Sequence, residues 1–74
     1  MADGDIHTVP HERGWANEIE GSRGFSSTHK TKIAALKRGR ELAILRKAEH
    51  LIHKRNGTIR ERNSYGNDPV SRSG

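Results

Sequence analysis

Histidine is the side chain best suited to hold a metal ion or move a proton near neutrality, and this sequence carries five: His7, His11, His29, His50 and His53. His7 and His11 are four positions apart, but they flank Pro10 in a stretch that reads as strand and turn, not helix. His50 and His53 fall on a predicted strand, where an odd separation sends side chains to opposite faces. There is no cysteine, and the carboxylates do not converge in the pattern that a zinc site needs. The sequence therefore assigns no metal ligand and no cofactor, and leaves the histidines on the surface, with His53 capping a hairpin.

Other chemistries find equally little support. A nucleophilic serine or threonine needs a base held by a third group, and the serines here sit in turns and in the tail. Glu18 and Glu20 share one face of a strand, the pattern of a solvated face. No glycine-rich loop leads from a strand into a helix, so a phosphate cradle is missing. Gly21 to Gly24 reads as a hairpin turn. A chain of 74 residues is also short for enclosing a substrate-sized pocket. The expectation is a protein without catalytic residues, not an enzyme, and with no small-molecule substrate.

Charge says more. Fourteen Lys and Arg against nine Asp and Glu give a formal net charge of +5, which points to an anionic partner or to solubility. The basic residues form two sequence clusters. Lys30, Lys32, Lys37, Arg38, Arg40, Arg46 and Lys47 lie at the start of a predicted helix and along it. Lys54, Arg55, Arg60 and Arg62 lie on a predicted hairpin. Of these, Lys30, Lys32, Lys37, Arg40, Lys54, Arg55, Arg60 and Arg62 are the candidate contacts for a nucleic-acid backbone. Trp15, Phe25 and Tyr65 are assigned to packing, not to base stacking, so binding would be electrostatic and nearly indifferent to sequence. Glu41, Glu49 and Glu61 dilute the clusters.

The elements that must position these residues are short. Ile6 to Pro10 reads as a strand that Pro10 ends or places at a sheet edge. His11 to Gly14 is a turn, with Gly14 supplying the bend. Trp15 to Glu20 alternates, with Trp15, Asn17 and Ile19 on one face and Ala16, Glu18 and Glu20 on the other. Phe25 to Thr28 is a third strand with Phe25 as its buried anchor. Thr31 is the N-cap of a helix from Lys32 to about Lys47, and Ala35, Leu36, Gly39, Leu42 and Ala43 fall on its core stripe. Gly39 implies close packing of the helix on a sheet, under Trp15 or Phe25. Glu49 to His53 and Thr58 to Arg62 form a hairpin around Asn56-Gly57, with Thr58, Arg60 and Arg62 on its basic outer face and Ile59 on the other. The fold class is therefore α+β: about three short antiparallel strands, one central helix on one sheet face, then a β-hairpin. Residues 1–5 are expected to be disordered, 6–69 to form one domain, and 70–74 to be a disordered tail. Tyr65 to Pro69 reads as a structural turn that folds Tyr65 back onto the core.

The short acidic Met1–Asp5 lacks the pattern of a secretory signal. The longest apolar runs, Ile33 to Leu36 and Leu42 to Leu45, are far below a membrane span. Together with the lack of cysteine, this gives a cytoplasmic expectation with no membrane partner.

The set His7-Thr8-Val9-Pro10, Trp15, Glu20-Gly21, Thr31-Lys32, Glu41-Leu42-Ala43, Ile52-His53, Asn56-Gly57 with Ile59, and Ser64-Tyr65-Gly66-Asn67-Asp68-Pro69 resembles the bacterial family called domain of unknown function 2188. The resemblance runs from His7 to Pro69. It implies strands, one helix and a hairpin, and it carries over no functional residue. The sequence departs from the family at Ile33, Ile44 and Leu45, where polar or small residues are usual. On a helical wheel Ile33 and Ile44 lie opposite the core stripe beside Lys37 and Arg40. Ile33, Lys37, Arg40 and Ile44 are thus the candidate face for a protein partner or a second copy of the chain.

Overall fold

The computed structural model describes residues 4–65. Its elements are β1 (Ile6–His11), β2 (Gly14–Ile19), β3 (Ser27–His29), α1 (Lys32–Arg46), β4 (Glu49–His53) and β5 (Ile59–Ser64). The strands form one sheet in the order β3-β2-β1-β4-β5. Neighbours are antiparallel except β1 and β4, which run parallel. A parallel pair needs a long crossover, and β2, β3 and α1 together supply it. The expected α+β architecture is the observed one, with the helix on one face of the sheet.

Several local expectations need correction. β1 is a central strand, although it contains Pro10. Its pairing with β4 covers only Ile6 to Thr8, so at Pro10 the β4 side is already unpaired and the missing N–H leaves no gap in the ladder. The β1–β2 bend is made by Glu12, whose φ is 51°, and not by Gly14. Gly14 instead admits the β3 backbone, since a Cβ there would lie 2.2 Å from the His29 carbonyl oxygen. The third strand begins at Ser27, and Phe25 is 44% exposed. Its ring packs on His11 with centroids 4.5 Å apart. Asp5, expected to be frayed, is buried and accepts the Glu49 N–H at 3.1 Å.

The helix begins where expected. The Thr31 hydroxyl accepts the Ala34 N–H at 3.1 Å. The helix ends at Lys47, whose φ and ψ of 56° and 48° are left-handed and whose N–H reaches the Ala43 and Ile44 carbonyls. Ala35, Gly39, Leu42 and Ala43 face the sheet. Ile6, Leu42 and Ala43 form the apolar core, with Ile19 and Tyr65 against it. Tyr65 thus folds back as expected, and its N–H is held by the Ala48 carbonyl at 3.1 Å. The Gly66 to Pro69 turn and the tail lie outside the described residues.

The hairpin turn is longer than the two-residue form. Gly57 has φ 95°, and the turn is closed by Lys54 N–H to Thr58 C=O (2.7 Å) and Gly57 N–H to Lys54 C=O (2.8 Å). β5 then carries a bulge: Glu61 faces Ile52 and Ile59 faces His53, so Arg60 is the extra residue. The bulge moves Ile59 to the face that Arg62 shares with Leu51 and His53, and the expected opposition of Ile59 to Arg62 is lost.

Candidate functional site

Trp15 is where the two basic clusters meet. Strand alternation puts it on the helix face, where it is 6% exposed. Lys32 Nζ lies 5.0 Å and Arg55 Cζ 5.5 Å from its ring centroid. Each cation is attracted by the negative face of the indole. A residue at the helix start and a residue in the β4–β5 turn, twenty-three positions apart in sequence, are thereby fixed on one indole. Lys30 and Lys54 adjoin them in sequence, and both are exposed.

The other candidates lie elsewhere. Lys37 and Arg40 are exposed on the outer side of α1. They share that face with Ile33 and Ile44, which are 78% and 49% exposed. Leu45 is 78% exposed. Arg60 and Arg62 stand on the edge strand β5, and the Arg62 guanidinium is engaged by Glu49 at 3.6 Å. Arg38 pairs with Glu41 at 3.3 Å. By element and face, the eight candidate contacts divide into three groups, and Lys32 and Arg55 are brought together across the fold.

Two polar clusters are also present that charge counting does not reveal. The first is buried between sheet and helix. Asn17 donates its amide to the Ala35 carbonyl at 2.9 Å. A carbonyl can only accept, so the Asn17 Oδ1 must face the other way, toward Thr8, whose hydroxyl donates to it at 2.5 Å. The Thr8 oxygen has then spent its proton, so His50 Nε2, 2.7 Å away, is the donor of that contact. The polarity of the whole row follows from one helix carbonyl. Thr8, Asn17 and His50 are each at most 2% exposed. Burial pushes the His50 imidazole below the ordinary histidine value; Glu61 opposes this and His7 adds to it. Gly39 lies over this row, not under Trp15 or Phe25. A Cβ there would be 2.6 Å from Asn17 Oδ1 and from His50 Nε2.

The second cluster lies on the opposite sheet face. His7 Nε2 is 2.9 Å from Glu20 Oε1, and His7 Nδ1 is 2.9 Å from His53 Nε2. His53 Nδ1 is 2.9 Å from the Gly57 carbonyl oxygen. His53 does cap the hairpin, as the sequence suggested. Glu20 is engaged with His7, so it is more than part of a solvated face. Among the described residues no group of three or more His, Asp and Glu side chains is placed to hold a metal ion, and no helix is long and apolar enough to cross a membrane.

The first cluster had a sequence signal. Asn17 sits between Trp15 and Ile19 on the buried face, and a polar residue there needs partners. The partners themselves, forty-two positions apart in the case of Thr8 and His50, depend on the parallel pairing of β1 with β4, which periodicity does not reveal.

The model of the family described as "Uncharacterized protein conserved in bacteria (DUF2188)" matches residues 6–65, and the chain belongs to that family. It is also similar to the "Uncharacterized protein YdaT" of Bacillus subtilis (strain 168), with 30% identity over 60 residues. That match takes in 81% of this chain and 40% of the relative, so the chain spans well under half the relative's length. No solved structure matches.

Proposed function

We propose that this member of the family is a small non-enzymatic binding module of the cytoplasm, which holds nucleic acid through phosphate contacts with little sequence specificity. The observation that carries the reading is the convergence of Lys32 and Arg55 on Trp15. It gives a fixed pair of cations from both basic clusters, with Lys30 and Lys54 beside them in sequence. The indole is itself 6% exposed, so it serves to position cations and offers little surface for a base to stack on. A net charge of +5 adds long-range attraction. The test is an amide NMR titration with short single-stranded and duplex DNA and RNA at low and physiological salt. The expected shifts centre on Lys30–Lys32 and Lys54–Arg55. With four phosphate contacts, log affinity for duplex should fall against log salt with a slope of about −3 to −4. No shift at low salt, or shifts that ignore salt, would remove the reading.

A second reading is favoured by a separate observation. Ile33 and Ile44 expose their side chains on the face of α1 that also carries Lys37 and Arg40. A protein partner or a second copy of the chain would cover such a face. Ile44→Glu should then abolish the association without unfolding the domain. A wild-type protein that is monomeric at high concentration removes the self-association form of this reading.

A further inference from the structure

The row Glu20–His7–His53–Gly57 begins and ends on groups that only accept hydrogen bonds, a carboxylate and a backbone carbonyl. His7 Nε2 must therefore donate to Glu20, and His53 Nδ1 must donate to Gly57. Those two bonds use the single N–H of each neutral ring. His7 Nδ1 and His53 Nε2 are then left 2.9 Å apart, each with a lone pair directed at the other. Three hydrogen bonds between acceptor ends need three N–H groups, and two neutral imidazoles have two. Closing that contact as a hydrogen bond requires one additional proton.

A metal ion or a proton could in principle bridge two such nitrogens, and the geometry discriminates between them. The ring centroids are 5.2 Å apart, longer than the nitrogen–nitrogen distance by about two imidazole radii. The two nitrogens thus point head-on at each other. A metal ion would need both lone pairs to converge on a point about 2.0–2.1 Å from each nitrogen, and no such point lies between head-on nitrogens this close. A proton fits.

We propose that His7 and His53 share one proton as a bridged imidazole–imidazolium pair, with Glu20 as its counter-ion, and that this proton pins the Lys54–Thr58 turn to the central strand β1. The surrounding charges favour it. Glu18 stands directly opposite His7 on β2, and Glu20 follows it. On the β4 and β5 side, Leu51 lies between His7 and Arg62 in the register, and Arg62 is engaged by Glu49. Ile59 faces His53, with Arg60 in the bulge beside it. His11 lies further along β1, and His50 is on the other side of the sheet. When the pair loses its proton, the contact between His7 Nδ1 and His53 Nε2 opens, and the tie between the turn and β1 loosens with it. The bond from His53 to Gly57 carries that change to the turn bearing Lys54 and Arg55.

The test uses the free protein, so its outcome is independent of whether nucleic acid binds. Long-range nitrogen–proton NMR of the imidazoles is followed from about pH 8 to pH 5, the range in which histidine exchanges its proton. The expected result is one proton taken up by His7 and His53 together in a single step, with Nε2 of His7 and Nδ1 of His53 protonated throughout. The Gly57 amide shifts in the same step, and its hydrogen exchange slows on the acid side. Glu20→Gln moves the step to lower pH, and His53→Asn abolishes the Gly57 response while the fold persists. Two independent titrations of one proton each, or a Gly57 amide indifferent to the step, would overturn the proposal.

Discussion

The Asn17 side chain donates to the Ala35 carbonyl across the interface of sheet and helix, at 2.9 Å. This one bond orients Asn17, then the Thr8 hydroxyl, then the His50 tautomer. The interior of this small domain is therefore organised by a polar row as much as by its apolar residues. Among the described residues eight hydrophobic side chains are buried, three of them alanine. With so little apolar volume, each buried polar group that loses its partner weighs heavily against a marginal stability.

Thr8→Val keeps the side-chain shape and deletes the hydroxyl. Asn17 Oδ1 and the His50 Nε2–H then both lose the atom that satisfies them. The expected loss is about 1–3 kcal/mol, read as a lower urea midpoint with an unchanged slope. Thr8→Ser retains the oxygen and should recover most of it. A negligible loss in Thr8→Val, with the loss confined to Thr8→Ser, would show that the methyl group matters and the row does not.

Gly39→Ala would normally strengthen a helix by about 1 kcal/mol. Here the new Cβ would stand 2.6 Å from Asn17 Oδ1 and His50 Nε2 and 2.8 Å from Thr8 Oγ1. Those atoms are hydrogen-bonded to one another and cannot yield separately. Overpacking at about 1–3 kcal/mol outweighs the propensity gain, so the substitution destabilises. A thermal midpoint at or above wild type would contradict the close approach of α1 to the row.

The sequence carried the element order because its signals were local. Thr31 as cap, the Ala35–Ala43 stripe, the alternation of Trp15, Asn17 and Ile19, and the Gly57 turn each depend on neighbours within a few residues. The misses share a cause. Pro10 looked like a strand end because its tolerance depends on β4 pairing only with Ile6 to Thr8. Gly14 looked like the bend because its contact with His29 depends on β3. Phe25 looked like an anchor because aromatics usually are. The histidine row was not legible at all, since His7 and His53 are forty-six positions apart and meet only through the parallel β1–β4 pair.

Arg55→Ala removes one cation from Trp15 and one of the proposed phosphate contacts. Affinity for duplex should fall for every sequence alike, and the salt slope should become shallower by about 1. The same change at Arg62, already held by Glu49, should do less. A larger effect at Arg62 than at Arg55 would move the interface to the β5 edge.

Lys47→Gly should stabilise the protein. Lys47 closes the helix in the left-handed region, at φ 56°, where a side chain is strained and glycine is not. Its side chain is exposed, so little packing is lost. The expected gain is up to about 1 kcal/mol, measured as a raised urea midpoint. A fall would mean that the lysine side chain makes a stabilising contact near the end of α1.

His50 makes the fold sensitive to acid. Burial holds its imidazole below the ordinary value of 6.5, because its Nε2–H already serves Thr8 and a second proton would place a charge beneath the helix. In the unfolded chain the ring takes up its proton near 6.5. Below that pH the unfolded state binds more protons than the folded one, so stability falls as the pH falls. The contribution is complete above the unfolded value, is lost as the pH drops toward the lower folded value, and then levels off. The proposed His7–His53 proton makes a separate contribution of its own. Wild-type stability alone therefore mixes two slopes. The difference between wild type and His50→Gln isolates one of them, because Gln can still donate to Thr8 but cannot titrate. Urea midpoints from about pH 8 to pH 5 should show the two proteins converging as the solution is acidified. Curves that stay parallel would mean that His50 gains its proton as readily in the folded protein as in the unfolded chain.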